Sequence, residues 1–215
     1  MTEFIFWLSL AGLVYVYLGY PILVNLLAAS FPMRRDRYLT DGQKVSVVIA
    51  CHDEAERIKN KLLELLSSPQ ACFIDEILIG SDGSNDDIAA SIAALNDPRI
   101  RLVEFSNRRG KPAVLNDLVP QCRNEILVLC DARQILSDNA IPELLANFAD
   151  PKVGVVSGEL MFRQSSNDST AGHGIGAYWR YEKMIRRAEA QFRSVPGATG
   201  AVYAIRREAF QRMPD

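Results

Sequence analysis

The chain has 215 residues, of which 48% are hydrophobic and 23% charged, and its formal net charge is -2. This length suits one domain, or one domain with a membrane anchor, and a charge so close to zero provides no overall basic field for nucleic acid. Two histidines and four scattered cysteines fit neither a zinc site nor a disulfide framework, so we expect buried free thiols in a reducing compartment.

The first segment predicts a membrane span. No charged residue occurs between Phe4 and Met33, and about twenty apolar residues in a helix cross the hydrocarbon of a bilayer. Tyrosines and a tryptophan in this segment suit the membrane interfaces. We assign residues 4–31 to one transmembrane helix and residues 32–43 to a juxtamembrane linker.

Basic residues set the expected orientation of this helix. Arg34, Arg35 and Arg37 follow the apolar run, whereas only Glu3 and the amino terminus precede it. The positive-inside bias therefore places the amino terminus outside and the rest of the chain in the cytoplasm, at the cell (inner) membrane. A cleaved signal peptide is the alternative, because residues 28–30 are small, but the run is long and no basic residue precedes it.

From residue 44 onward, predicted strands alternate with predicted helices. The strands are expected at 45–50, 74–79, 100–105, 126–130 and 153–156, and the helices after Asp53 and at 86–95, 112–119 and 137–148. Asp53 and Glu56 resemble a capping box, and Ser137 or Asp138 is expected to cap the last of these helices. This alternation predicts an α/β domain over residues 44–215, with a mostly parallel central sheet covered on both faces.

The strand at Ile126–Cys130 is followed at once by Asp131. In open α/β sheets, ligands bind beyond the carboxyl ends of the strands. A carboxylate at this position can meet a metal ion or a bound phosphate sugar. The alternative is that Asp131 only caps a turn.

Two further loops follow predicted strands. Gly80–Asp87 contains Asp82, which can accept hydrogen bonds from a base or a ribose, unless the loop is simply a turn in which Asp86 caps the next helix. Asn107–Lys111 places three cations beside a glycine and before a helix, which suits a diphosphate. The alternative for this second loop is a solvated surface segment.

Two later segments are less specific. Gly172–Gly176 is rich in glycine but does not fit G-x-G-x-x-G, so we interpret it as a flexible loop. Residues 178–212 contain eight basic and three acidic residues, with apolar residues at helical spacing. They predict either an amphipathic helix packed on the sheet or a helix at the membrane face, near an anionic or lipid-linked acceptor, and both can hold.

Five segments together resemble the family-2 glycosyltransferases, in particular the processive polysaccharide synthases. They are Val45–Glu54 as the opening strand, Ser81–Asp86 as the D-D-G-S-T-D loop, Asn107–Asn116 as the N-x-x-G-K segment, Asp131–Arg133 at the D-x-D position and Gly197–Arg207 as the acceptor-side glycine segment. The resemblance runs from the anchor to Phe210. It implies a GT-A fold, a nucleotide-sugar donor, usually a UDP-sugar, and a divalent cation.

The resemblance also implies roles for single residues. Asp82 would contact the uracil, and Asp53 would lie near the nucleoside. Lys111 would approach the diphosphate, and Asn116 would belong to the same donor-binding set. Asp131 would bind Mg²⁺ or Mn²⁺, hard cations that prefer oxygen ligands.

The sequence departs from the family pattern at two positions. Ser81 stands where the family usually has Asp, which removes one nucleoside contact. Arg133 stands where a second metal carboxylate would be, and a guanidinium cannot bind a cation. The metal would then rest on Asp131, the diphosphate and water, or Arg133 would itself face phosphate as a donor-binding residue.

The family's general base is an acid in an E-D or D-D motif after the glycine segment. The chain has no Glu-Asp pair, and Asp86-Asp87 belongs to the nucleotide loop, so the base is expected beyond Asp215, in a longer enzyme. The resemblance therefore implies a membrane-anchored, inverting, metal-dependent glycosyltransferase that transfers sugar to a glycan or lipid-linked acceptor in cell-surface or exopolysaccharide synthesis. The alternatives are a non-catalytic nucleotide-sugar-binding scaffold and an unrelated nucleotide-binding α/β protein. The sequence lacks the G-x-G-x-x-G fingerprint of dinucleotide sites, which argues against the second alternative.

Overall fold

A computed structural model describes residues 1–159, 161 and 170–214, with the main chain alone at 170–175 and 177. The described residues form two compact units. One contains residues 1–34 with the described part of 161–197, and the other contains residues 35–159 with 198–214. The division that we predicted at residues 31 and 43 stays a prediction.

The second unit is built on a six-stranded sheet. Its strands are Val45–Cys51 (β1), Ile74–Asp82 (β2), Ile100–Phe105 (β3), Ile126–Cys130 (β4), Val155–Ser157 (β5) and Val202–Arg206 (β6). In space they follow the order β3-β2-β1-β4-β6-β5. Strands β1 to β4 pair in parallel, whereas β6 runs antiparallel to both β4 and β5. The mostly parallel α/β sheet is thus confirmed.

Helices cover both faces of this sheet. They are Ala55–Ser67 (α3), Ile88–Ala93 (α4), Lys111–Leu118 (α5) and Ala140–Leu145 (α6), and short 3₁₀ segments extend α5 and α6. The predicted stripe of Ile58, Leu62 and Leu65 is fully buried against one face, together with apolar residues of α4 and α6. Helix α5 buries Val114 and Leu118 against the other face. This covering explains why β1 and β4 are almost continuously apolar.

The start of α3 differs from the predicted capping box. The helix begins after Glu54, and Asp53 has a left-handed φ of 49° that takes it out of the capping position. The Ala55 N–H instead donates to Asp86 Oδ2 at 2.7 Å. Asp86 therefore caps a helix that lies before it in the chain, because the loops after β1 and β2 are neighbours at the sheet edge.

The predicted cap of α6 was also wrong. The helix begins after Asn139, and neither Ser137 nor Asp138 is its N-cap residue. The Ile141 N–H donates to Oε1 of the buried Gln70 at 2.9 Å. A side chain from the 3₁₀ segment before β2 thus replaces the local cap that the sequence indicated.

The first unit contains an apolar helix from Thr2 to Ser30, which is 29 residues long and includes an 18-residue stretch with a mean hydropathy of 1.8. By length and composition it can cross a membrane. It consists of Thr2–Val14 (α1), a π-helical turn at Tyr15–Gly19 and Tyr20–Ser30 (α2).

A second helix, Thr170–Phe192 (α7), packs on this apolar helix. Its buried Ala188 lies against Val24 and Ala28, and the Tyr181 hydroxyl donates to the Tyr17 carbonyl at 2.7 Å. A π-helical turn displaces the regular main-chain bonds, so this hydroxyl provides an extra partner at the irregular turn. The glycine run at 172–176 lies inside α7 and is not the loop that we predicted, because glycine disfavours a helix by only about 1 kcal/mol per residue.

Gly80 allows α5 to approach β2 closely. A Cβ atom at this position would lie 2.3 Å from Val114 Cγ1 and 2.9 Å from Leu118 Cδ1. We expect Gly80→Ala to lower the free energy of unfolding by about 1–3 kcal/mol through overpacking. Chemical denaturation measures this change.

The matched control is Gly154→Ala, whose added Cβ would meet only Ala209 Cβ, at 3.7 Å. This variant should leave stability nearly unchanged. Equal stability of the two variants would show that α5 can move away from β2 without cost.

Candidate functional site

The candidate site lies at the carboxyl edge of the parallel strands. The strand order reverses beside β1, which pairs with β2 on one side and β4 on the other. Such a reversal opens a crevice at the strand ends in open α/β sheets. Asp53, Asp82 and Asp131 all lie at the carboxyl ends of these three strands, so the fold brings together the three carboxylates that the sequence singled out.

Asp82 holds the loop that follows β3. Its carboxylate is buried and accepts from the main-chain N–H groups of Arg109, at 2.8 Å, and Gly110, at 2.7 Å. Gly83 fits under the same loop, since a Cβ there would lie 2.6 Å from Arg108 N. Gly110 has φ 91° and ψ 154°, a conformation open essentially to glycine alone, and it starts α5.

Asp53 joins the loops after β1 and β2. Its Oδ1 accepts from the Asn85 N–H at 2.8 Å, and its own N–H donates to Ser84 Oγ at 3.1 Å. His52 Nδ1 donates to the Asp82 carbonyl at 2.7 Å. Asp53 Oδ2 lies 3.3 Å from His52 Nε2, and the side chain of Asp53 remains 46% exposed.

Asp131 and Lys111 form an ion pair across the crevice. Lys111 Nζ lies 2.5 Å from Asp131 Oδ1 and donates to the Gly200 carbonyl at 3.0 Å. The Asp131 N–H donates to the Ala201 carbonyl at 3.1 Å. The segment before β6 is thereby fixed beside the D-x-D position.

Arg133 does not point at Asp131. Its Nε lies 3.5 Å from Glu54 Oε1, and the same oxygen pairs with Arg57 at 2.9 Å. The side chain of Arg133 is 67% exposed. It can therefore swing toward a ligand at the strand ends at little cost, since exposed ion pairs contribute little to stability.

Asn116 has a structural use. Its Nδ2 donates to the Met213 carbonyl at 2.9 Å, and its Oδ1 accepts from the Met213 N–H at 2.8 Å. Asn116 is buried in α5, and this pair of bonds fixes the segment after β6 on the helix. Its contact with the donor stays a prediction.

Comparison with known proteins identifies the family. The model of "Glycosyl transferase family 2" matches residues 46–213, which is most of the chain and includes every residue of the candidate site named above.

The chain belongs to glycosyl transferase family 2.

Two related proteins are polysaccharide synthases by name. The chain is 27% identical over 165 residues to the poly-beta-1,6-N-acetyl-D-glucosamine synthase of Staphylococcus aureus (strain COL), an alignment that covers 76% of this chain and 38% of the relative. The synthase of the same name from Staphylococcus epidermidis is 30% identical over 127 residues, covering 57% of this chain and 30% of that one. The chain thus spans well under half the length of these relatives.

A solved structure shows the same fold. The mannosyltransferase PcManGT from Pyrobaculum calidifontis, in complex with GDP-Man and Mn²⁺, superposes with a TM-score of 0.69 at 23% sequence identity. The match covers 92% of this chain and 55% of that chain. The GT-A fold that the motifs implied is therefore confirmed.

This family-2 domain also contains a buried lysine that the motifs did not indicate. The side chain of Lys61, in α3, is 1% exposed and donates to the Gln134 carbonyl at 2.6 Å. Glu64, 3.2 Å from the Lys61 ammonium, accepts from the Leu136 N–H at 2.8 Å. The pair holds the loop that begins at Asp131. A lysine on an apolar helix stripe, with an acid three residues later, is the signal that could have revealed it.

The oxygen atoms around Lys111 fit a hard cation in this family-2 site. Asp131 Oδ1 and the Gly200 carbonyl both face a positive charge already, that of the lysine ammonium. Within the described parts of the chain, no group of three or more His, Cys, Asp or Glu side chains is placed to hold a metal ion. A single carboxylate completed by substrate phosphates is a common arrangement for Mg²⁺, so Asp131 fits such an ion only together with a phosphorylated ligand.

Replacing Lys61 tests whether this pair supports the site. We expect Lys61→Met to lower the free energy of unfolding by about 3 kcal/mol, because it leaves the Gln134 carbonyl and the Glu64 carboxylate without their buried cation. Urea denaturation measures the loss. Lys59→Met, at a partly exposed position of the same helix, should stay within about 0.5 kcal/mol of the parent. A similar small effect from both changes would contradict the positioning role of Lys61.

Proposed function

We propose that this domain binds a nucleotide-sugar, with a UDP-sugar as the expected donor, for inverting transfer to a glycan or lipid-linked acceptor. The observation that carries the proposal is the placement of Asp131, which ends a buried strand beside the reversal of strand order and faces Lys111 at 2.5 Å. The family membership and the synthase relatives support it.

The geometry supports different roles in donor binding for the predicted residues. Lys111 pairs with Asp131, and the exposed Arg133 lies in the loop that follows Asp131, so we assign these two cations to the diphosphate. The partly exposed carboxylate of Asp53 is assigned to the nucleoside side. Asp82 and Asn116 already have both polar side-chain atoms engaged. Direct contact with the donor would require a second hydrogen bond at the same atoms.

We assign Mg²⁺ or Mn²⁺ to Asp131. The similar fold of the mannosyltransferase holds Mn²⁺ with GDP-Man. Such an ion supplies positive charge that offsets the charge developing on the leaving diphosphate. Binding of the diphosphate would release Lys111 from the carboxylate, because the phosphate oxygens offer the ammonium a stronger negative partner.

We also propose that the apolar helix Thr2–Ser30 anchors the protein, with the catalytic fold in the cytoplasm. The helix is long and apolar enough to cross a bilayer, and Arg34, Arg35 and Arg37 follow it. The names of the synthase relatives support exopolysaccharide synthesis as the process. A cytoplasmic site would have direct access to nucleotide-sugars.

Asp131→Asn tests the donor site. In calorimetric titrations with UDP-sugars, GDP-sugars and the free nucleotides, with and without Mn²⁺, the parent chain should prefer uridine nucleotides and bind them more tightly with metal. Asp131→Asn should abolish the metal dependence and weaken binding about tenfold to a hundredfold, since each lost contact to a charged group contributes about 1.5–3 kcal/mol.

Asp138→Asn is the matched control, because Asp138 is an exposed acid in the same loop. It should bind like the parent chain. Retention of metal-dependent binding by Asp131→Asn would overturn the assignment of the cation.

A reporter fused after Thr40 tests the orientation. Because basic residues near the end of a span stay in the cytoplasm, a reporter that works only in the cytoplasm should be active and an exported one inactive. Replacing Arg34, Arg35 and Arg37 by Gln should lower this bias. Activity of the exported reporter in the parent fusion would refute both the orientation and the access to nucleotide-sugars.

A further inference from the structure

Two arginines share one carboxylate oxygen at the edge of the candidate site. Glu54 Oε1 accepts from Arg57 Nη1 at 2.9 Å, and the Nε of Arg133 lies 3.5 Å from the same oxygen. The first distance is that of a hydrogen bond, whereas the second lies beyond the usual range of about 2.7–3.2 Å for an N–H donor and an oxygen. Glu54 is therefore bonded to Arg57 and holds Arg133 more loosely, by the attraction of opposite charges.

The three side chains come from two neighbouring parts of the sheet edge. Glu54 and Arg57 lie at the start of α3, directly after β1, whereas Arg133 lies in the loop after β4. Strands β1 and β4 pair in parallel beside the reversal of strand order, which is where ligands bind in open α/β sheets. The contact of Glu54 with Arg133 thus joins the two strand ends, and the contact with Arg57 stays within one helix turn.

The position of Arg57 is unfavourable for α3 by itself. Arg57 is the third residue of the helix, which begins at Ala55, and the positive end of the helix dipole repels a cation in the first turn. The carboxylate of Glu54 offsets this repulsion. We therefore interpret Arg57 by its effect on Glu54 and not by a contribution to the helix.

Arg133 can reach a ligand by movement of its side chain alone. The carbonyl of the next residue, Gln134, accepts from Lys61 at 2.6 Å, and the Gln134 N–H donates to the Asp131 carbonyl at 3.3 Å. These bonds fix the main chain beside Arg133. Its side chain is 67% exposed, so rotation about the side-chain bonds is sufficient.

Departure of Arg133 would be costly if it left Glu54 without a cation. The side chain of Glu54 is only 15% exposed, and a largely buried carboxylate is disfavoured when it is unpaired. Because Arg57 remains on the same oxygen, Glu54 stays paired when Arg133 turns away. Glu54 and Arg57 together then carry no net charge, so the charge of Arg133 is available to an anion.

We propose that Arg57 is a positioning residue for donor binding, which keeps Glu54 neutralised so that Arg133 can exchange this carboxylate for the diphosphate of the donor. The proposal rests on the assignment of Arg133 to the diphosphate under the proposed function. Arg57 acts through Glu54 and Arg133 and does not need to contact the donor.

Calorimetric titration of the full chain in detergent, with UDP or GDP in the presence of Mn²⁺, tests this role. Arg57→Gln should raise the Kd of the preferred nucleotide about twofold to fivefold, because Glu54 then retains Arg133 in an ion pair that the diphosphate has to replace. Lys59→Gln is the matched control. It removes the same charge from a partly exposed position of the same helix and should leave the Kd close to that of the parent.

Glu54→Gln separates this mechanism from a change in the overall electrostatic field. Glutamine keeps the size of the side chain, which makes no capping bond to α3, but it does not retain Arg133. Glu54→Gln should bind the nucleotide at least as tightly as the parent, and adding Arg57→Gln to it should cause no further change. Adding Arg57→Gln to Arg133→Gln should likewise have no effect. An equal loss of affinity on Arg57→Gln in all three backgrounds would overturn the proposal, because independent charges act additively.

Arg133→Gln alone tests the assignment on which the proposal rests, and it should weaken nucleotide binding about tenfold. If it does so while Arg57→Gln behaves like Lys59→Gln, Arg133 keeps its assignment and the positioning role of Arg57 is refuted. If Arg133→Gln binds like the parent, or if the parent binds neither nucleotide, the proposed donor site is wrong and the role of Arg57 fails with it.

Discussion

The buried carboxylate of Asp82 is the interaction on which the rest of the site depends. A carboxylate that is 4% exposed is tolerated only when its oxygens are hydrogen-bonded, and the two available donors are the main-chain N–H groups of Arg109 and Gly110. These bonds fix where α5 begins. The first residue of α5 is Lys111, which reaches across to Asp131. One charge at the end of β2 therefore determines the distance between the loops of β3 and β4.

The local sequence pattern was sufficient to predict a strand or a buried helix face where the segment packs within the core. The strand at Ile126–Cys130 and the stripe of Ile58, Leu62 and Leu65 were predictable because burial demands an unbroken or periodic run of apolar residues. The carboxylates at the strand ends followed from the same pattern, since a polar residue directly after a buried strand must lie at the sheet edge. The motif order then supplied the family.

The local sequence pattern could not predict contacts between segments that are far apart in the chain. The cap of α3 comes from Asp86, that of α6 comes from Gln70, and the loop after β4 is held by Lys61. For the two caps a local candidate existed, but a side chain that the sheet brings near took its place. The loop predicted at the glycine run 172–176 was wrong because the weak preference of glycine against helix was overridden within a helix of 23 residues. Tertiary structure decides such cases, and a single sequence does not display it.

The cap of α3 has a consequence for biosynthesis. Ala55 and Asp86 are 31 residues apart in the chain, and a ribosome adds about 5–20 residues per second. Asp86 is therefore synthesised about 2–6 s after Ala55, and the first turn of α3 lacks its capping carboxylate during that time. During that interval β1 and α3 exist without the strand that completes their edge, and a chaperone that binds nascent chains has its opportunity there. Slower codons between these two positions would lengthen the exposure without altering a single residue of the finished protein.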